Sequence, residues 1–172
     1  NEYANPTAVL TCNDLVQVSL DASGEALIGA DMILEGGPYG CYDDYIVDIE
    51  GIAEDVVDCS FIGQEYTISV TDPETGNYCW STIIVEDKLA PVFDCPDQDV
   101  EITCVQSIDI VPPPLAIDNC VVLDYQLVNE VQIDDDACDD NAVRFARTWL
   151  AIDQYGNESE LCEQVIAIVR PD

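Results

Sequence analysis

The nine cysteines of this chain fall in an order that repeats, and the repeat bounds what the chain can fold into. Cys41 and Cys59 are 18 residues apart, and so are Cys120 and Cys138. Cys12 and Cys104 each sit in an apolar, β-branched stretch near the start of a half, and Cys79 and Cys162 each sit in a hairpin near its end. Four cysteines match four, and Cys95 is left over. There is no Cys-x-x-Cys pair and no histidine, so zinc and dithiol redox chemistry lack their usual ligands. Disulfides in an oxidising, extracellular space remain. The simplest pairing is Cys12–Cys79 with Cys41–Cys59, and Cys104–Cys162 with Cys120–Cys138, which leaves Cys95 free or joined to another chain. Other connectivities within each half stay open at this point.

The apolar pattern repeats with the cysteines. Thr67-Ile68-Ser69-Val70-Thr71-Asp72 runs to Gly76-Asn77, Cys79 and Ile83-Ile84-Val85. Thr148-Trp149-Leu150-Ala151-Ile152-Asp153 runs to Gly156-Asn157, Cys162 and Val165-Ile166-Ala167-Ile168-Val169. Each is a strand, a Gly/Asn turn and a second strand, the signature of a closing hairpin. Upstream, Val16, Val18 and Leu20 alternate with Gln17 and Ser19, Asp21 to Gly24 reads as a turn, and Ala26-Leu27-Ile28 returns. Tyr45 to Glu50 is a further strand, Ala30 to Leu34 allows one helical turn, and Val143, Phe145 and Trp149 share a face that Arg147 interrupts. Many short strands with regular turns predict an all-β chain of two disulfide-stapled β-sandwiches. The segment Glu86-Asp87-Lys88-Leu89-Ala90-Pro91 marks the boundary, giving domains 1–87 and 88–172 in tandem on a linker too short to flex. No apolar run approaches the ~18–20 residues of a membrane helix. The chain opens at Asn1 with neither methionine nor leader, which reads as a mature or excised segment.

These residues also resemble known modules. Asp87 to Pro96, Ala116-Ile117-Asp118-Asn119-Cys120 and Thr148 to Asn157 resemble the opening, middle and closing hairpin of a hyalin repeat. Cys12-Asn13-Asp14, Leu34 to Cys41 and Val70 to Asn77 make the first half similar to modules of very large bacterial surface adhesins, a group that includes type IX-secreted proteins and gliding-motility filaments. The resemblance implies immunoglobulin-like domains, adhesion or filament formation between neighbouring repeats or copies of the chain, and no catalysis. Gln154-Tyr155 stands where a hyalin-type hairpin often carries a cysteine, a departure that fits the odd Cys95.

Charge narrows function further. Thirty-six acids stand against Lys88, Arg144, Arg147 and Arg170, a formal net charge of −32. Nothing is available to neutralise phosphates, so nucleic acid is excluded, and anionic membrane surfaces are repelled. Such a chain repels itself unless cations condense on it. Oxygen ligands without histidine suit calcium. Three acidic groups are candidates: Glu86, Asp87 and Asp94 around the boundary; Asp134, Asp135, Asp136, Asp139 and Asp140 around Cys138; and Asp43 and Asp44 after Cys41. None has EF-hand spacing, and the plain alternative is that these acids solvate loops or reflect a high-salt habitat. A glycosidase carboxylate pair carries no weight in a chain so rich in acids. Tyr39, Tyr42, Tyr45 and Trp80 are candidates for a surface that binds polysaccharide, against the commoner packing role of strand aromatics. Asn157-Glu158-Ser159 matches a glycosylation sequon inside a turn that already needs its asparagine. Thr7-Ala8-Val9-Leu10 reads as a first strand that belongs to its own sandwich or pairs with a preceding copy.

Overall fold

A computed structural model describes residues 9–49, 55–134 and 142–169. The chain separates into two compact units, Asn1–Lys88 and Leu89–Asp172. Each unit is an immunoglobulin-like β-sandwich, and the chain is all-β apart from one four-residue helix and short 3-10 turns.

In the first unit the strands are β1 (Leu15–Ser19), β2 (Glu25–Leu27), β3 (Ile46–Ile49), β4 (Val56–Asp58), β5 (Glu65–Thr71) and β6 (Tyr78–Glu86), with α1 (Ala30–Ile33) after β2. The large sheet has the order β1-β6-β5-β3, and β2 pairs with β4 in the small one. β5 and β6 form the predicted hairpin, with Ser69 opposite Trp80. Their alternate residues Ile68, Val70, Ile83 and Val85 are buried to 1% exposure or less, as the period of two requires when one face meets a core. The turn at Asp21 does not return the chain beside β1. It carries the chain across to the second sheet, where β2 pairs with β4, while β1 lies parallel to β6. That exchange lets Val18 and Ile28 both be fully buried.

The second unit repeats the plan with β7 (Val92–Phe93), β8 (Val100–Thr103), β9 (Ala116–Ile117), β10 (Val122–Asp134), β11 (Ala142–Asp153) and β12 (Cys162–Val169). The large sheet is β10-β11-β12-β8, with β8 parallel to β12. Ile102, Val111 and Ile166 form one cluster of its core, with Val100, Ile108 and Ile168 against them, and Trp149, Ala151 and Cys162 are buried as well. Arg147, which breaks the apolar face of β11, is 4% exposed. Its Nε meets Glu130 Oε2 at 2.7 Å, and its Nη1 donates to the carbonyls of Ile108 at 2.9 Å and Val111 at 3.4 Å. It therefore ties the Ile108–Ile110 turn to the sheet.

The disulfides correct part of the sequence reading. Cys12 is bonded to Cys79 with Cα atoms 5.7 Å apart. Cys162 is bonded to Cys95, not to Cys104, with Cα atoms 5.8 Å apart. Each bridge spans the same sequence separation, 67 residues. Register explains why Cys104 is excluded. It follows β8, whose Thr103 lies beside Val169 at the far end of β12, whereas Cys162 begins that strand. Seven residues of strand, roughly 23 Å, separate the two, far beyond the ~7 Å Cα limit of a disulfide. The predicted Cys41–Cys59 bridge is likewise absent, because Cys41 is a free, exposed thiol. Cys59 lies beside Gly24, its Sγ 3.7 Å from that carbonyl oxygen. Cys41 lies near Leu27 to Asp31, at the other end of the β2–β4 ladder. Cys59 and Cys120 are disulfide-bonded, Cys104 is a free thiol, and Cys138 lies outside the described residues.

Two outcomes test this packing. Cys95→Ser should cost about 4 kcal/mol of stability by the loop-closure relation for a 67-residue loop, whereas exposed Cys104 should tolerate serine within about 0.5 kcal/mol. Guanidinium unfolding measures both, and peptide mapping after native alkylation should find label on Cys41 and Cys104 but not on Cys95. Arg147→Ala should cost about 3 kcal/mol, since it strands two carbonyls and a carboxylate. Glu130→Gln, at a partly exposed position that keeps an acceptor, should cost less. A loss below about 1 kcal/mol for Arg147→Ala would show the guanidinium is not a structural pin.

Candidate metal centre

An aspartate organises each closing hairpin. In the first unit the Asp72 N–H donates to Asn77 O at 2.8 Å, and Asp72 O accepts from the Gly76 N–H at 2.8 Å. Its Oδ1 accepts from the Glu74 N–H at 2.9 Å and its Oδ2 from the Thr75 hydroxyl at 2.7 Å. In the second unit Asp153 Oδ1 accepts from the N–H groups of Tyr155 and Asn157, both at 2.8 Å, and Oδ2 accepts from Asn157 Nδ2 at 2.6 Å. The following glycines, Gly76 and Gly156, stand at φ 72° and 89°, where a Cβ would be strained. Asn157 of the sequon thus has its amide engaged in the turn. The Thr75 hydroxyl, and after it the Glu74 amide, hold the Asp72 carboxyl below its ordinary pKa; the same arrangement with Ser23 and with Ser60 lowers Asp21 and Asp58.

Asp153 has a second relation. It is 1% exposed, and its carboxylate lies in a group with Asp118 and Asp87, one oxygen from each within 4.8 Å of the others. Asp118 follows β9, and its Oδ1 accepts from the Cys120 N–H at 3.0 Å. Asp87 follows β6 and is 6% exposed. The spacing has a direct reading. Two oxygens each about 2.4 Å from one calcium ion can be no more than about 4.8 Å apart. Carboxylates this close repel one another strongly where water is scarce. Lys88 Nζ lies on Glu86 at 2.7 Å, Arg144 Nε on Asp99 at 2.8 Å and Arg147 Nε on Glu130 at 2.7 Å.

Of the acids singled out in the sequence, Asp87 is in this group and the others described are not. Glu86 is ion-paired with Lys88 and accepts from Gln17. Asp94 is exposed, its N–H donating to Leu115 O at 2.8 Å. Asp43 and Asp44 are exposed on a 3-10 turn, Asp43 lining an open depression with Cys41 and Tyr42. Asp134 pairs with Arg144 in the β10–β11 register, and Asp135, Asp136, Asp139 and Asp140 lie outside the described residues. Asp118 and Asp153 sit inside motifs that the sequence displays, Ile117-Asp118-Asn119-Cys120 and Ile152-Asp153, but their convergence is a product of folding. The candidate sugar face is corrected as well. Tyr39 and Tyr45 are buried, their hydroxyls donating to Glu35 O at 2.6 Å and Tyr39 O at 2.8 Å; Tyr42 is half-buried, and Trp80 alone of the four is well exposed.

Fold and site together define a disulfide-stapled pair of β-sandwich domains with a largely buried acidic group. No protein-family model matches the chain, and no curated protein matches it significantly. Among solved structures it is similar to human protocadherin-24 EC1-2, crystal form II, at 15% identity and a TM-score of 0.42, covering 94% of this chain and 98% of that one. It is also similar to Drosophila N-cadherin EC1-3 at 14% identity and a TM-score of 0.40, covering 89% and 62%. Likeness of this degree is too slight to bear on function. No helix among the described residues is long and apolar enough to cross a membrane.

The lowered pKa of Asp72 fixes a sign. A carboxyl held below its unfolded value stabilises the fold above pH ~4 and loses that contribution as pH falls through its folded value. Asp72→Asn should therefore flatten the decline in urea midpoint of the first unit between about pH 5 and pH 3. An unchanged acid limb would leave the loss to Asp21 and Asp58.

Proposed function

We propose that this chain is a non-catalytic adhesive repeat module of an extracellular surface protein or filament, of the kind found in large hyalin-repeat bacterial adhesins, with neighbouring repeats or copies of the same chain as its partners. In this reading Asp87, Asp118 and Asp153 hold a divalent cation, calcium by the preference of hard oxygen donors. The observation that carries it is the approach of three carboxylates to within 4.8 Å with two of the residues buried. The repeated β-sandwich plan and the two 67-residue bridges support a load-bearing module, and disulfides fit an oxidising space outside the cell.

Thermal unfolding with disulfides intact, in millimolar calcium against chelator at fixed ionic strength, tests the reading. An ion at a hundred times its Kd adds about 2.7 kcal/mol, a rise of roughly 10–20 °C for a domain of this size. Asp153→Asn and Asp118→Asn should each abolish the calcium-dependent part, while Asp94→Asn should keep it. Equal stabilisation by potassium chloride alone would assign the acidity to salt adaptation instead.

A further inference from the structure

Four strands end the two large sheets: β1 and β3 in the first unit, β10 and β8 in the second. Three of them have four or five residues, whereas β10 has thirteen. One side of β10 pairs with β11, and no strand among the described residues pairs with the other. Every residue from Gln126 to Ile133 is exposed, and Leu127, Val128, Val131 and Ile133 are 44%, 54%, 44% and 52% exposed. That stretch holds neither proline nor lysine, two residues that commonly blunt an edge. Its outer N–H and C=O groups recur at strand spacing, and what matches such a row is another extended backbone. The pairing with β11 is irregular between Leu127 and Asn129 and between Gln132 and Asp134, and regular from Asn129 to Gln132. Irregular steps turn an edge aside, so a further strand is confined to that regular run.

We propose that this run is a contact between two copies of the chain, β10 lying antiparallel to β10 about a two-fold axis at Val131. The charges beside the run select the axis. A two-fold axis at Glu130 sets carboxylate against carboxylate, and one at Gln132 sets Glu130 against Asp134. One at Asn129 sets Glu130 against Val128, inside the irregular step. With the axis at Val131, valine faces valine, Glu130 faces Gln132 of the second copy, and Gln132 faces its Glu130. Each carboxylate then meets a carboxamide, which donates hydrogen bonds and carries no charge. Glu130 and Gln132 flank Val131, so the two polar pairs share one face of the sheet and the valines lie on the other. Glu130 is paired with Arg147 Nε at 2.7 Å, so the run brings no unpaired charge to the contact. What opposes the contact is the long-range repulsion of two chains at −32 each, which salt screens to a reach of about 8–10 Å at ordinary ionic strength. A short edge contact is weak by itself and suits a module whose copies act in numbers. The proposal rests on the adhesive reading and deepens it by naming the surface through which copies meet.

The test is sedimentation velocity of the whole chain, disulfides intact, chelator present and the free thiols of Cys41 and Cys104 alkylated, with hydrogen exchange at low and high protein concentration to locate the contact. The chain should pass from monomer to dimer between micromolar and millimolar concentration. The dimer should strengthen as potassium chloride is raised, and amides of residues 129–132 should gain protection with concentration. Gln132→Glu makes both polar pairs like-charged and should weaken the dimer roughly tenfold. Val105→Glu, in the turn after β8 and 86% exposed, adds the same charge and should leave the dimer intact. Both variants should keep the wild-type thermal midpoint. A monomer at every concentration, or a dimer that the two variants weaken alike, would overturn the contact. So would protection gained only outside β10. The calcium-dependent rise in midpoint is read on monomer and dimer alike, so the adhesive reading's own test stands or fails separately from this one.

Discussion

Each unit is closed by a parallel pairing between an early strand and its last one, β1 beside β6 and β8 beside β12. The rest of the sandwich depends on it, because the hairpins between these strands are local while the closure is not. Gathering the whole intervening chain before any reward arrives is entropically costly. A bridge of 67 residues in each unit joins the segment ahead of the early strand to the start of the last one. It removes most of that cost from the unfolded state in advance. This helps domains of under ninety residues hold together on small cores.

The acids divide into three physical situations. Many lie exposed in water and cost little. Others shape turns: Asp21, Asp58, Asp72 and Asp153 each accept hydrogen bonds from residues two to four positions on, so a polar side chain replaces sheet pairing where the chain reverses. The third situation is Asp153 again, now with Asp87 and Asp118, where acids approach one another with Asp87 and Asp153 buried and Asp118 half-buried. One side chain serves both the turn and the acidic group, which ties the geometry of the group to the closing hairpin.

Positive charge is scarce, and one of its carriers, Arg147, is buried. Arg147 spends its guanidinium on Glu130 and on two carbonyls of the Ile108–Val111 turn. The planar fork can satisfy several acceptors at once, which an ammonium of the same reach would not. What looks in sequence like a flaw in an apolar face is the peg on which an irregular loop hangs.

The residue order alone determined the all-β class, the closing hairpins with Gly76 and Gly156, and the single helical turn, because each rests on periodicity or turn chemistry within about ten residues. It also displayed the Cys12–Cys79 span. Cysteine spacing misled where the 18-residue repeat suggested partners, since Cys41 and Cys59 lie at opposite ends of the β2–β4 ladder and Cys104 lies beyond the reach of Cys162. Register, not spacing, chose Cys95. The acidic group was half legible: Asp87 stood out in a charged run, but Asp118 and Asp153 are far along the chain and meet only when β9 and β11 are placed in one unit. Likewise the tyrosines at 39 and 45 could not be told from surface residues until the core claimed them, and Tyr78 became the neighbour of Trp80 on an open face only once β6 lay between β1 and β5. Local pattern is fixed by neighbours in sequence. Convergence is fixed by which strands pair, and that is decided by burial summed over the whole unit.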